Sequence, residues 1–193
     1  MKIFKHFVTI TKHRLKVCRY CFKAGLYLQG LTHDLSKYSP IEFFAGARFY
    51  QGNMSPQVKE RLVLGYSTAR LHHKGRNRHH FESWRDVDKT GKNAPVKMPA
   101  RYLGEMICDR VAACRIYLKK DYTQRSALEY FQRRTDVSYM HPETAEKLEY
   151  FLTLIAKEGE EAAFRKLKAY IKTESAREKA ETRRLISEYK SEK

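Results

Sequence analysis

Apolar residues recur at helical spacing along most of the chain. Between Phe7 and Leu28 they fall at Phe7, Ile10, Leu15, Cys18, Phe22 and Leu26, one face of a long helix. Gly25 and Gly30 mark breaks or tight contacts between helix segments. Ser39-Pro40 opens a helix over 41–50, with Ser39 as N-cap, Pro40 in the first turn and Glu42 placed to complete a capping box. Ser55-Pro56 repeats the start signal and predicts a helix to about His72. From Lys74 to Pro99 the pattern dissolves under Gly75, Asn77, Gly91, Asn93, Pro95 and Pro99, which predicts a long loop with one short helical turn near 81–87. Loops of that length in compact domains are functional or disordered. This one carries His79, His80 and the only tryptophan, Trp84, so a functional loop is expected.

Helical periodicity returns over 100–119, with Leu103, Ile107, Val111 and Cys114 as the inner stripe. Shorter helices are predicted over 123–133 and 142–157, and Gly159 separates the latter from a last helix over 160–189. No segment alternates as a strand would. The expected fold is all-α, a helical bundle over residues 1–135 followed by a highly charged helical extension over 136–193 that packs on it or projects from it. The tail from Ser175 onward mixes Glu, Lys and Arg, the composition of an exposed helix held by charge pairs one turn apart.

A chain of 193 residues is long enough for one domain with a real core. No apolar run approaches the roughly 18–20 residues that cross a bilayer. The start of the chain shows no apolar stretch with a small-residue cleavage site, so a cytoplasmic protein is expected. The net charge of +17 changes the picture more, because it implies an anionic partner: a nucleotide, a nucleic acid or an anionic lipid. A basic surface that serves only solubility is the plainer alternative. Beyond about Lys157 the charges nearly balance, which assigns the surplus to the front of the chain. Cys18 and Cys21 have C-x-x-C spacing, yet both fall on a predicted helix with no second such pair. They read as small core residues, with no disulfides expected in the cytosol.

The candidate chemistry is metal binding. His33-Asp34 stands in Gly30-Leu31-Thr32-His33-Asp34-Leu35-Ser36-Lys37; His13 precedes it, and His72-His73, His79-His80 and Asp109 follow. Neutral imidazole and ionised carboxylate are the usual nitrogen and oxygen ligands of catalytic divalent metals. Asp109 lies on an otherwise apolar helix face, where a carboxylate is costly unless paired or coordinated.

This order resembles the HD superfamily of metal-dependent phosphohydrolases, over about residues 10–115. The matching residues are His13, His33, Asp34 and Asp109, and the run Leu31–Lys37 is similar to that family's His-Asp segment, with Thr32 at a position that is usually apolar. The resemblance implies one divalent ion on those four residues. It implies a second on His73 and His80, with His72 and His79 as the alternatives within each doublet and Asp34 bridging. A closer likeness is to an uncharacterised family that shares the His-Asp-Leu-Ser-Lys-Tyr-Ser-Pro run and the histidine-rich loop; it supplies no substrate.

The expectation is therefore a phosphohydrolase using manganese, iron, cobalt or zinc, one or two ions, on a nucleotide or other phosphoester. Asp34 and Lys37 are its expected catalytic residues, with Lys37, Arg76 and Arg78 as candidate phosphate contacts. Two alternatives use the same residues. One is a di-iron oxygenase on the same scaffold. The other is a basic helical nucleic-acid-binding protein with a structural or vestigial metal, gripping its partner through Lys12, Arg14, Lys16, Arg19 and Lys23.

Overall fold

The computed structural model describes residues 2–192, the side chain of Arg134 excepted. The protein is all-α, with nine α-helices among the described residues and one small hairpin. Helix α1 spans Lys2–Lys23 and turns His6, Ile10, His13, Val17, Tyr20 and Cys21 inward, alternating steps of three and four residues. Gly25 ends it at φ +76°, a left-handed value that favours glycine. Helix α2, Tyr27–Thr32, then folds back against α1. Gly30 is the point of closest approach: a Cβ there would lie 2.9 Å from Cys21 Cβ and 3.3 Å from the Cys18 carbonyl. The two glycines thus do different work, one breaking the helix and the other admitting a neighbour.

Helix α3, Pro40–Arg48, starts at Ser39-Pro40 as the sequence predicts, but no capping box forms. Ser39 makes no side-chain cap, and Glu42 turns inward, its two oxygens taken by the imidazoles of His72 and His73. The single helix expected over 56–72 is two. Helix α4, Pro56–Leu64, stops at Gly65, φ +81°. Helix α5, Thr68–Arg76, restarts with Ser67 accepting the Arg70 N–H at 2.9 Å. Glu60, buried between them, accepts the Thr68 N–H at 3.1 Å. The expected helical turn near 81–87 is a 3-10 turn over Phe81–Ser83, after which the chain enters a strand. Strands β1, Arg85–Val87, and β2, Asn93–Pro95, pair antiparallel with Asp86 opposite Ala94. Three-residue strands are too short to show alternation, which is why the hairpin escapes a reading by period.

Helix α6, Ala100–Leu118, is the central element and packs on α1. Helices α7, Ser126–Arg134, α8, Pro142–Glu158, and α9, Glu160–Ser191, close the bundle. One continuous apolar core joins Val17, Leu103, Ile107 and Val111 to Leu148, Phe151, Leu152, Phe164 and Leu167. Helix α8 and the first half of α9 therefore pack onto the helices that carry the histidines. Beyond Ile171 no residue of α9 is buried, yet its acidic residues reach back. Glu178 accepts the Ala100 N–H at 2.8 Å and so caps α6, whose own N-cap position, Pro99, offers no side-chain bond. The four cysteines are free thiols; Cys21 and Cys108 are buried in the core. No helix of the described residues is long and apolar enough to cross a membrane.

The N-terminus of α9 is tied to the core by Glu160. It accepts Tyr20 Oη at 2.8 Å, Tyr122 Oη at 2.7 Å and Arg115 Nε and Nη2 at 2.9 and 2.7 Å. Burial alone would raise this carboxyl's pKa, but the Tyr122, Arg115 and Tyr20 hydrogen bonds outweigh it and hold the pKa below the ordinary 4.5. A depressed acid stabilises the fold above its unfolded pKa and loses that contribution as pH falls through the folded value. Glu160→Ala should therefore destabilise the protein by about 2–3 kcal/mol at pH 7. Denaturant titrations should show the gap from wild type shrinking below pH 4.5, in acid. A gap independent of pH would show that lost packing, not the charge, carries the effect.

Candidate metal centre

The centre starts from a backbone kink. Helix α2 ends at Thr32, His33 is extended at φ −49°, ψ 128°, and Asp34 is left-handed at φ 53°, ψ 28°. In a continuous helix adjacent side chains diverge by about 100°; this turn lets His33 and Asp34 face the same interior point. A left-handed residue costs of order 1–2 kcal/mol outside glycine, least for Asp and Asn. Arg14 of α1 holds the turn, donating from Nε to the His33 carbonyl at 2.7 Å and from Nη2 to the Leu31 carbonyl at 3.0 Å.

Four further elements bring ligand groups to that point: α1 with His13, α5 with His73, the following loop with His79 and His80, and α6 with Glu105 and Asp109. Asp34, 1% exposed, lies at the middle. Its Oδ2 is 3.2 Å from His33 Nε2, 3.6 Å from His13 Nε2 and 2.6 Å from Lys37 Nζ. Its Oδ1 faces the other way, 3.2 Å from His73 Nε2 and 3.5 Å from His79 Nε2. Asp109 Oδ1 closes the first group, 2.9 Å from His13 Nε2 and 3.6 Å from His33 Nε2. Ligand atoms of His13, His33, Asp34 and Asp109 all lie within 4.8 Å of one another, as do those of His73, His79 and His80. The two clusters share Asp34 as their boundary.

The outer nitrogens are fixed by carboxylates. His33 Nδ1 donates to Glu105 Oε1 at 2.8 Å, and His79 Nδ1 is 3.1 Å from the same oxygen. His73 Nδ1 donates to Glu42 Oε2 at 2.8 Å, and His72 Nδ1 to Glu42 Oε1 at 2.7 Å. A proton held on Nδ1 leaves the Nε2 lone pair free, and it is Nε2 of His33, His73 and His79 that points at Asp34. Carboxylate–imidazole pairs of this kind orient metal-ligating histidines and raise their basicity.

The donor set suits a divalent metal on an observation independent of sequence order. Six buried atoms have no hydrogen bond of acceptable geometry: His13 Nε2, His33 Nε2, His79 Nε2, His80 Nε2 and both Asp34 oxygens. Orphaned buried polar atoms are costly singly; here they converge on one volume. Charge tells the same story. Burial would raise the pKa of Asp34, but His33, Lys37 and His73 hold it well below the carboxylate range. Asp109 is likewise held down against burial by His13 and His33. His33 is pushed the other way: burial would lower it, and Asp34, Asp109 and Glu105 raise it well above an ordinary imidazole. His80 is kept neutral by burial, by His79 and by Arg70. The carboxylates demand positive charge, and a bound cation would supply it without protonating His33.

The structure brings His13, His33, Asp34, His73, His80 and Asp109 together. Of the first doublet, His73 faces the centre and His72 lies outside it on Glu42. Of the second, both imidazoles face inward. Lys37 is also there, but its ammonium is paired with Asp34. Arg76 and Arg78 are not there. Arg76 is exposed beside the His72 carbonyl at 3.4 Å, and Arg78 is exposed and lines a separate cavity. They follow His73 and His79 in sequence, but neighbouring positions on a helix or loop face different ways. His6, also on the buried face of α1, packs beside Gly46, Phe43 and Tyr50, away from the ligands. Glu105 is the residue that sequence reasoning missed. Its signal was present: it precedes Asp109 by four positions, so it shares the buried face that made Asp109 conspicuous.

Fold and site thus define an all-α protein with a buried cluster of histidines and aspartates able to hold metal. Residues 2–154 match a family described as "Family of unknown function (DUF5662)", and the chain belongs to that family. No curated protein matches the chain, and no solved structure does.

Proposed function

We propose that this protein is a metal-dependent phosphohydrolase of HD type, acting on a nucleotide or another phosphoester through a dinuclear His/Asp site. The observation that carries the reading is the division of Asp34: one oxygen faces His13 and His33 and the other His73 and His79, and neither oxygen, nor Nε2 of His13, His33 and His79, has a hydrogen bond. His13, His33, Asp34 and Asp109 would hold one divalent ion; His73, His79, His80 and Asp34 would hold the second. Such ions supply Lewis acidity at a phosphoryl oxygen and make a water more acidic.

The chain's own residues supply the rest. Glu105 and Glu42 hold the imidazoles in one tautomer. The side chains of Asp109 and Lys37, 20% and 23% exposed, mark where solvent reaches the centre. Lys37 sits at this opening as a point charge that a phosphate oxygen would share with Asp34. Arg110 is close enough to Asp109, and Arg70 to His80, for each pair to interact electrostatically. Arg70 is spent on Glu82, which leaves Lys37 as the cation best placed for a bound phosphate.

The basic row on α1 supports nucleic-acid binding less than its composition suggests. Arg14 is spent on backbone carbonyls and Lys23 is paired with Glu161. The test is phosphate release from nucleoside monophosphates and simple phosphoesters by protein loaded with manganese, iron, cobalt or zinc, beside His33→Ala. Turnover by wild type that vanishes in the variant is expected. Dioxygen uptake by iron-loaded protein without phosphate release would assign the oxygenase reading. Salt-sensitive nucleic-acid binding without any turnover would assign the third.

A further inference from the structure

The loop that carries His79 and His80 has a second side. While their imidazoles turn to Asp34, Lys74, Arg78, Glu82 and Trp84 line a cavity of about 550 Å³ that none of the candidate metal ligands enters. That volume is in the range of small-molecule sites, about 300–1,000 Å³.

Its walls divide by chemistry. Lys74 and Arg78 have no ion-pair partner among the described residues. Arg85 is held in place by Asn93, donating from Nε to Oδ1 at 2.7 Å and from Nη2 to the carbonyl oxygen at 3.1 Å; neutral partners leave its charge uncompensated. Leu71, Val96 and Trp84 form an apolar wall. Trp84 is fixed there by its indole N–H, which donates to the Arg78 carbonyl at 2.7 Å, and by its packing on Tyr102. Two acids also line the cavity. Asp86 accepts the Val87 N–H. Glu82 binds Arg70 through Oε1, while its Oε2 is buried with no hydrogen-bond partner.

We infer that this cavity binds an organic anion the size of a mononucleotide. Its phosphate is held by Lys74 and Arg78, and its planar ring lies against the wall of Leu71, Val96 and Trp84. The two features are independent, and together they argue against simpler occupants. An inorganic anion would leave the apolar wall unused, and a neutral aromatic would leave two unpaired cations. Because Lys74 adjoins His73 and Arg78 adjoins His79, such a ligand is an effector poised on the segment that carries the second ligand group. The site stands whether or not the His/Asp cluster holds metal.

Trp84 is the only tryptophan, so the protein's tryptophan emission arises at the wall of this cavity. The full-length protein, stripped of metal with chelator, is titrated with adenosine monophosphate, with adenosine and with inorganic phosphate. A saturable change in tryptophan emission is expected with the monophosphate, with much weaker responses to the other two. Reversing the half-buried and exposed charges in Lys74→Glu with Arg78→Glu should weaken binding by about tenfold or more. Circular dichroism checks that this variant is folded, and Arg78→Gln alone gives a second, milder reading of the same contact. No saturable response at millimolar monophosphate overturns the inference. So does equal affinity in the charge-reversed protein, which would place the anion at the His/Asp cluster.

Discussion

Protein carrying Asp34→Asn will bind divalent metal at neither position, and its turnover of any phosphoester will fall with it. The substitution keeps the shape of the side chain and removes its charge. One oxygen becomes an amide nitrogen that can only donate, and it then faces imidazole nitrogens that need an acceptor or a cation. Asp34 is the carboxylate that faces the Nε2 atoms of both ligand groups, since Oδ2 meets His13 and His33 while Oδ1 meets His73 and His79. Removing an outer hydrogen-bond partner of a metal ligand typically costs about 10–100-fold in affinity, so loss of the shared ligand itself should exceed that. Chelator competition on the folded variant measures the effect. Metal affinity within a few-fold of wild type would remove Asp34 from the centre.

The second large effect is expected at Glu105, which belongs to neither ligand group around Asp34. Its Oε1 accepts the His33 Nδ1 proton and lies 3.1 Å from His79 Nδ1, one imidazole from each ligand group. Glu105→Ala frees both rings to rotate and leaves two buried N–H donors unpaired. Metal affinity should drop by about 10–100-fold. Glu105→Gln, which keeps an acceptor without the charge, should fall between the alanine variant and wild type. A role in packing alone predicts otherwise: the alanine variant would lose stability but bind metal as tightly once folded. Measuring affinity and denaturant stability on the same three proteins separates the two.

These residues also show how far the sequence could be read. The inward stripe of α6 is legible because a period of 3.6 needs only local information, and Asp109 stands out as a carboxylate on that helix; on α1 the expected stripe fails, since Phe7, Leu15 and Phe22 are exposed while His6, His13, Val17 and Tyr20 turn inward with Ile10. His33-Asp34 was legible from its flanks. Glu42 was not, because a glutamate three residues after Ser39 is what a helix N-terminus ordinarily uses; only the approach of α5 shows that its oxygens go to His72 and His73. The His79-His80 doublet was undecidable in sequence because the loop after Arg76 has no periodic phase, and its turn aims both rings inward. Gly65 was read through because an isolated glycine inside a helical pattern is usually tolerated; its φ of +81° and the cap at Ser67 end one helix and begin another. The tail read only as charge, yet Glu178 caps α6 and Lys97 bridges Glu174, which steadies the helix bearing Glu105 and Asp109.

The charge surplus also looks different in three dimensions. Of the 39 lysines and arginines, Arg14 clamps the His33-Asp34 turn, Lys37 answers Asp34, and Arg115 holds Glu160. These cations are structural, although pairing with acids leaves the net charge of +17 unchanged. What remains unpaired includes Lys74 and Arg78 in the cavity behind the histidine loop.

The central claim is that this cluster is a metal centre, and metal content tests it most directly. Wild-type protein and His33→Ala with Asp34→Ala are purified, reconstituted separately with manganese, iron, cobalt and zinc, freed of excess ion and analysed for metal per chain. The account predicts about two ions per wild-type chain, one for each group around Asp34, and essentially none in the variant. Wild type that stays metal-free after reconstitution, or a variant that keeps its metal, would contradict it.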